Sequence, residues 1–266
     1  MIAFTSNRTG LYQIYGIGLD NRELTQIGDS NTNDFFPEFS RDGDLFLIWA
    51  TDVNANPPYT KLLFLNKDGS TDNFGNGIAP AGWAPDSGGL VFTTWGAEEG
   101  SGTDIGLVYF GEGILHRLTT DSADDLQPDW SPDGNTIVFT SLRDGRGQLY
   151  MMDVDGENQE RFITGTSNGF LADWSPDGSQ IAFVSGDDFS TQIYVINADG
   201  SGLVQLTDSQ GYNEDPAWSP DGTMIAFWSS RTGNHEIFIM NADGTDPVNI
   251  TNHPAADENP SWLPLR

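Results

Sequence analysis

The residues best suited to chemistry in this chain are oxygen donors set at one fixed distance before a recurring aromatic. Five residues ahead of Phe39, Trp83, Trp130, Trp174, Trp218 and Trp262 stand Asp34, Ile78, Asp125, Gly169, Asn213 and Asp257. Glu214 and Glu258 follow the last two, and Glu38, Asp129 and Asp173 lie immediately before three of the aromatics. Side-chain oxygens converging on one axis would suit a hard cation such as calcium, which takes roughly six to eight donors, some of them backbone carbonyls or water. Asp34, Asp125, Asn213, Glu214, Asp257 and Glu258 are therefore the candidate metal ligands, and Ca2+ is the candidate ion. A local reading competes with this one. None of the segments has EF-hand spacing, and an Asp ahead of Pro-x-Trp also serves to turn the chain.

Other site chemistry finds less support. There is no cysteine, which removes disulfides, thiolate nucleophiles and Cys-based zinc sites. His116, His235 and His253 fall at non-equivalent points of the repeat, beside an outer strand, in a hairpin and in a link, and read as surface histidines. A serine hydrolase would need its nucleophile elbow, Asp and His on an α/β domain, and no stretch has a helical period. With 39 acidic residues, carboxylate pairs are too common to single out a glycosidase pair. The chain is expected not to be an enzyme.

These donors can meet only if the elements carrying them form a ring, and the sequence supplies one. The cassette Pro216-Ala217-Trp218-Ser219-Pro220-Asp221-Gly222, then Ile225-Ala226-Phe227, recurs along the chain at anchor intervals of 44, 47, 44, 44 and 44 residues. That is the pitch of a four-stranded propeller blade. Ile225 precedes Trp262 by 37 residues and Ile2 precedes Phe39 by 37, so the N-terminus resumes the repeat where the C-terminus leaves it. The expected fold is all-β, a six-bladed β-propeller of four-stranded antiparallel blades in a single domain over 1–266. Its closing blade, 259–266 with 1–27, is shared between the N- and C-termini. The others run at about 34–75, 80–119, 127–164, 171–207 and 215–251. Sharing one blade removes the open sheet edges of a linear array.

Within a blade, Ser-Pro-Asp-Gly joins the first two strands and Asn-Ala-Asp-Gly the last two, with Pro fixing φ and Gly supplying a positive φ. These hairpins share one side of the disc, here the turn face. The Ser-x-Arg-x-Gly hairpins and the blade-to-blade links share the other, here the link face. Its longer, more variable loops make the link face the expected functional side. Two neighbouring blades diverge: Ser40-Arg41-Asp42-Gly43 replaces the Pro turn, and the loops 52–60 and 96–104 are longer. They mark the expected partner-facing lobe, against the reading that surface loops drift freely.

The balance of 11 basic against 39 acidic residues, net −28, repels phosphate backbones and anionic lipid and favours cations or basic partners. Nucleic acid is thereby excluded as a partner. Much of the Asp sits in turns, chosen for its hydrogen bonds to the backbone, and a high-salt or extracellular habitat would account for more. No apolar run approaches the roughly 20 residues of a membrane span, so no membrane insertion is expected. The abrupt opening on a strand reads as a mature or excised domain.

The motifs resemble the repeat of TolB-like β-propellers, a WD40-like family. They stand as Trp130 to Gly134, Ile137 to Phe139, Ser141 to Gly145 and Leu149 to Gly156, and again over Trp174 to Thr207. The resemblance covers essentially the whole chain, without the N-terminal domain that precedes the propeller in TolB. It implies a partner-binding propeller of periplasmic or extracellular location, with calcium possible in the central tunnel. The same repeat also serves as the gating propeller of peptidases and in pectin-fragment lyases, and fold alone does not choose between them. The expected function is a monomeric, non-catalytic module for a protein or peptide, with a basic partner favoured by the charge. The alternative is an enzyme-associated propeller, a peptidase gate or a glycan-acting tunnel.

Overall fold

The computed structural model describes residues 1–27, 32–52, 59–65, 71–75, 78–96, 102–163 and 165–264. Its 24 strands form six four-stranded antiparallel sheets, each one blade. The innermost strands are Asn33–Phe39 in blade 1, Ile78–Trp83 in blade 2, Asp125–Trp130 in blade 3, Phe170–Trp174 in blade 4, Asn213–Trp218 in blade 5 and Asp257–Trp262 in blade 6. Blade 6 is completed by Ile2–Ser6, Gln13–Ile17 and Leu24–Gln26 from the other end of the chain, with Ile2 opposite Trp262 and Ser6 opposite Asp257. The ring thus closes by sheet pairing between the termini.

Packing between blades follows from second strands that are apolar on both faces. In the recurring Ile-Ala-Phe, Phe4, Phe139, Phe183 and Phe227 are all fully buried. Trp130, Ile137 and Phe139 of blade 3 pack with Val91, Ile105 and Leu107 of blade 2. Trp218, Ile225 and Phe227 of blade 5 meet Ala182, Val184 and Ile193 of blade 4 in the same way. Exposed outer strands of only two or three residues, such as Glu160–Arg161 and Val204–Gln205, keep the rim edges short.

The turn face is stapled. In blade 3, Ser131 Oγ donates to Asp133 Oδ1 (2.6 Å), and Gly134 N closes the turn on Ser131 O (3.0 Å). Ser40 with Asp42, Ser175 with Asp177 and Ser219 with Asp221 repeat the bond. Donation from these hydroxyls and the neighbouring amides holds Asp42, Asp133, Asp177 and Asp221 below the usual carboxylate range. Where Arg41 takes the place of the turn proline, blade 2 answers with Ser87 in place of glycine. Ser87 keeps the positive φ (59°), and its Oγ accepts the Asp42 amide (3.2 Å).

Candidate functional site

Every inner strand carries a bulge, two to three residues before its anchor in five blades and three to four before it in blade 2. In five blades the third residue back is left-handed: Phe36 (φ 49°), Gln127 (54°), Leu171 (53°), Asp215 (50°) and Asn259 (52°). A non-glycine residue rarely takes that conformation, and here it turns these side chains onto the wall of the central tunnel, a cavity of about 450 Å3. The equivalent position in blade 2 is Pro80, whose ring forbids a positive φ. Below this ring lie Glu38, Asp129 and Asp173, and at the turn-face end the turn prolines Pro85, Pro132, Pro176, Pro220 and Pro264 make a collar with Arg41 in the sixth place.

The lower carboxylates are knit into the ring. Asp129 Oδ1 accepts its neighbour's amide, Trp130 N (2.8 Å), and Oδ2 accepts Trp174 N (2.9 Å) from blade 4. Asp173 Oδ2 accepts Trp218 N (2.6 Å) from blade 5, and Glu38 Oε2 accepts Ser261 Oγ (3.3 Å) from blade 6. Burial pushes Glu38 and Asp173 well above the carboxylate range, and their mutual repulsion with Asp129 adds to it. Asp129 is raised by burial as well, against Arg41. Arg41 is exposed in the mouth, reaches Trp130 O (3.4 Å), and opposes all three shifts. Nearer the link face, Asp215 Oδ2 accepts Trp228 Nε1 and Asn259 Nδ2, both at 2.8 Å. Burial, then the Glu214 charge, pushes Asp215 up to about 7.

The candidate ligands five residues before the anchors take another role. Asp34, Asp125, Asn213 and Asp257 are fully buried, one in each of four blades, and each is engaged locally. Arg8 Nη2 donates to both oxygens of Asp257 (2.9 Å each), Arg143 Nη2 to both of Asp125 (3.2 and 3.0 Å), and Arg231 Nη2 to Asn213 Oδ1 (2.7 Å). The same guanidiniums bond Ser6, Ser141 and Ser229 through Nε. They also lie over the pairs Phe4/Tyr15, Phe139/Tyr150 and Phe227/Phe238, 4.6–5.8 Å from the ring centroids. The Ser-x-Arg of each hairpin is thus a clip that fastens the second strand to the inner one. Asp34 accepts Thr32 Oγ1 (2.7 Å). This ring presents no shared oxygen cage for an ion.

Glu214 and Glu258 lie apart from the clips, where blade 5 meets blades 4 and 6. Glu258 Oε1 is 2.5 Å from His235 Nδ1, and the His235 ring stacks on Trp228 (centroids 4.3 Å). Glu214 Oε1 accepts Thr191 Oγ1 (3.0 Å). The hydrogen bond to Glu258 raises His235, while burial raises Glu214. His235 is therefore a half-buried member of a polar cluster, which its hairpin position in the sequence did not suggest. His116 pairs with Glu112 (3.2 Å) on the exposed rim. Among the described residues no three His, Asp or Glu side chains converge closely enough to hold a metal ion as they stand. Gly165-Thr166-Ser167-Asn168-Gly169 spells Gly-x-Ser-x-Gly, but it belongs to the link between blades 3 and 4 rather than a strand-to-helix elbow. The loop residues 53–58 and 97–101 of the expected lobe lie outside the described residues.

A closed ring of six such blades around a carboxylate-lined tunnel defines the class. The chain matches the TolB beta propeller domain family over residues 66–170 and again over 166–265, and it belongs to that family. It is 33% identical over 162 residues to a TolB homolog of Chlorobium luteolum, covering 60% of this chain and 35% of that protein. The chain thus spans about a third of the length of that curated relative. The crystal structure of TolB from Acinetobacter baumannii superposes with a TM-score of 0.85 at 20% identity, over 99% of this chain and 66% of that one. An oligogalacturonate lyase from Vibrio parahaemolyticus shares the fold more distantly (TM-score 0.61, 16% identity, 93% of this chain and 73% of the lyase). No helix of the described residues is long and apolar enough to cross a membrane.

Proposed function

We propose that this propeller is a non-catalytic binding module that meets a basic protein or peptide on its link face, at the tunnel mouth. One observation carries the reading. Of the arginines in the hairpins of that face, Arg8, Arg143 and Arg231 are spent inside the blades on clips and Arg146 is exposed, so Glu214, Glu258, Asp187 and Asp188 outnumber it and set the sign. A negative mouth on a rigid ring attracts a cationic segment and raises its encounter rate. Membership in the TolB family supports a partner-binding role and a periplasmic or extracellular setting. The likeness to a lyase supports a shared scaffold, and His235 here is committed to Glu258 and Trp228.

The test is titration calorimetry with a synthetic Ser/Lys peptide. Binding should weaken on adding salt and fall about tenfold in Glu214→Gln/Glu258→Gln. Absence of binding, or binding indifferent to both substitutions, would sink the proposal.

A cation is the second reading, favoured by the crowding of Glu38, Asp129, Asp173 and Asp215 around the tunnel with Arg41 opposite. Carboxylates raised by burial and mutual repulsion are relieved by a divalent ion as well as by protons. We place Ca2+ there, or against Glu214 and Glu258, rather than at the clipped ring. A calcium-selective rise in melting midpoint, absent with magnesium or sodium chloride, is the expected outcome. A rise common to all three salts would mean only screening of the net charge.

A further inference from the structure

Three consecutive blades each raise one large apolar side chain from the link face. Trp95 is 66% exposed, Leu142 37% and Phe189 85%. Trp95 and Leu142 hold the same place in the repeat, twelve residues after Trp83 and Trp130. Blades 5 and 6 have Ser230 and Asn7 there, so among the described residues the apolar character is confined to one arc of the face.

Phe189 is displayed by a different device. In blades 3, 5 and 6 the second and third strands separate after the serine of the clip, leaving six residues in the loop. Blade 4 lacks the arginine, with Asp187 in its place, and lacks the inner-strand acid, with Gly169 in its place. There the ladder zips two pairs further, Gly186 to Thr191 and Asp187 to Ser190, and only Asp188 and Phe189 remain at the tip. The close approach is why residue 186 is glycine: a Cβ there would lie 2.2 Å from Ser190 O. Asp187 Oδ1 accepts the amides of Phe189 (2.9 Å) and Ser190 (3.1 Å), and Tyr212 Oη donates to Asp188 O (2.8 Å). A phenyl ring is thus held out in water on a fastened finger next to two carboxylates, where ordering it for a partner costs little further entropy.

We infer that Trp95, Leu142 and Phe189 form an interaction surface for an extended protein segment that alternates apolar with Lys or Arg side chains. The inference rests on the binding role proposed above and names the surface and partner chemistry. Charge decides among occupants. Asp187 and Asp188 adjoin Phe189 and are exposed, while near Leu142 the exposed Asp144 pairs with Arg161 (3.5 Å) and shares its hairpin with the exposed Arg146, leaving the arc acidic on balance. A second copy of this chain would bring another net −28, and anionic lipid would be repelled. A basic segment is attracted, and its apolar side chains would cover exposed aromatics of the kind that dominate interface energetics.

The experiment compares a Leu/Lys peptide with a Ser/Lys peptide of equal length and charge, against the wild-type chain and Trp95→Ser/Phe189→Ser. The wild type should bind the Leu/Lys peptide about tenfold more tightly, and the preference should vanish in the variant, whose melting midpoint and Ser/Lys affinity stay unchanged. A variant that keeps the preference, or a wild type with none, overturns the inference while leaving the binding role intact. Failure of both peptides to bind the wild type overturns that role as well. Equal Phe189-dependent binding to phosphatidylcholine vesicles would assign the arc to a membrane surface and also overturn it.

Discussion

Blades 3, 5 and 6 differ from blades 1, 2 and 4 in one fastener. In the first set an arginine thirteen residues along the repeat from the anchor meets an Asp or Asn five residues before it: Arg143 with Asp125, Arg231 with Asn213, Arg8 with Asp257. In blades 2 and 4 both partners are gone together, leaving Gly96 with Ile78 and Asp187 with Gly169. Blade 1 keeps Asp34 but has Asp52 in the arginine's place. One chain thus carries its own control series. In blades 3 and 6 the fully buried carboxylate comes with its guanidinium, as expected where an unpaired buried charge is costly, whereas Asp34 of blade 1 takes a hydroxyl from Thr32. The blades freed from the pair are those whose link-face hairpins diverge, into a Phe-tipped finger in blade 4.

Breaking a clip should give the largest effect, and blade 6 is the place to break it. Arg8→Ala leaves Asp257 buried against Ser6 without its countercharge, in the blade that joins the two termini. A loss of roughly 3–5 kcal/mol is expected, read from urea midpoints by tryptophan fluorescence. Arg8→Ala/Asp257→Ala should lose less than the sum of the single changes, because the second removes the orphaned charge. A single-variant loss below about 1 kcal/mol would deny the clip its structural role.

The same comparison shows what could be read from the sequence. The ring, its six blades and their shared closure were legible because the spacing of Trp-Ser-Pro-Asp-Gly and Ile-Ala-Phe fixes strand order whatever the side chains then do. The direction of the inner-strand donors was not. Equivalent spacing places Asp125, Asn213 and Asp257 at equivalent points, but a bulge nearer the anchor decides which residues reach the tunnel. That bulge gives the third residue back, Asp215 or Asn259, to the wall and leaves the fifth inside the blade. A signal existed in the joint presence of Ser-x-Arg and the donor, blade by blade. Arg41 was visible as a departure from proline, yet only closure of the disc brings it opposite Asp129 and Asp173. The stacking of His235 on Trp228 left no sequence trace, because it depends on a cross-blade partner, Glu258.

The tunnel carboxylates predict a pH dependence opposite to that of the turn face. Asp215 is raised to about 7, so between about pH 4 and 7 it binds more protons in the folded chain than in the unfolded one, and Glu38, Asp129 and Asp173, raised by burial, act in the same direction. Stability then falls as pH rises through that window, by at most about 1.4 kcal/mol per unit for each group. The turn aspartates, Asp42, Asp133, Asp177 and Asp221, are lowered, and their contribution is lost as pH falls below the ordinary carboxylate range. Melting midpoints should therefore peak near pH 4 and decline towards pH 7, with the decline reduced in Asp215→Asn. An unchanged slope in that variant would remove Asp215 from the account.

The smallest effect expected tests whether the clip is a matter of charge or of hydrogen-bond geometry. Blade 5 uses Asn213 where blades 3 and 6 use Asp, and burial beside this neutral amide pulls the Arg231 guanidinium down. Coulomb attraction alone says that Asn213→Asp should stabilise by completing an ion pair. The contacts say otherwise. Asn213 Oδ1 already accepts Arg231 Nη2 and Ser229 Oγ (2.8 Å), while Nδ2 donates to Thr191 O (3.1 Å) and Gln192 Oε1 (3.2 Å). A carboxylate would set a second oxygen against those two acceptors in a fully buried place, Thr191 O would lose this donor, and Gln192 Oε1 would keep only Thr207 Oγ1 (2.8 Å). The lost bonds and the gained charge nearly cancel, leaving a net destabilisation of about 1 kcal/mol. A rise in the urea midpoint would instead show that charge governs the clip and that the asparagine of blade 5 is incidental to it.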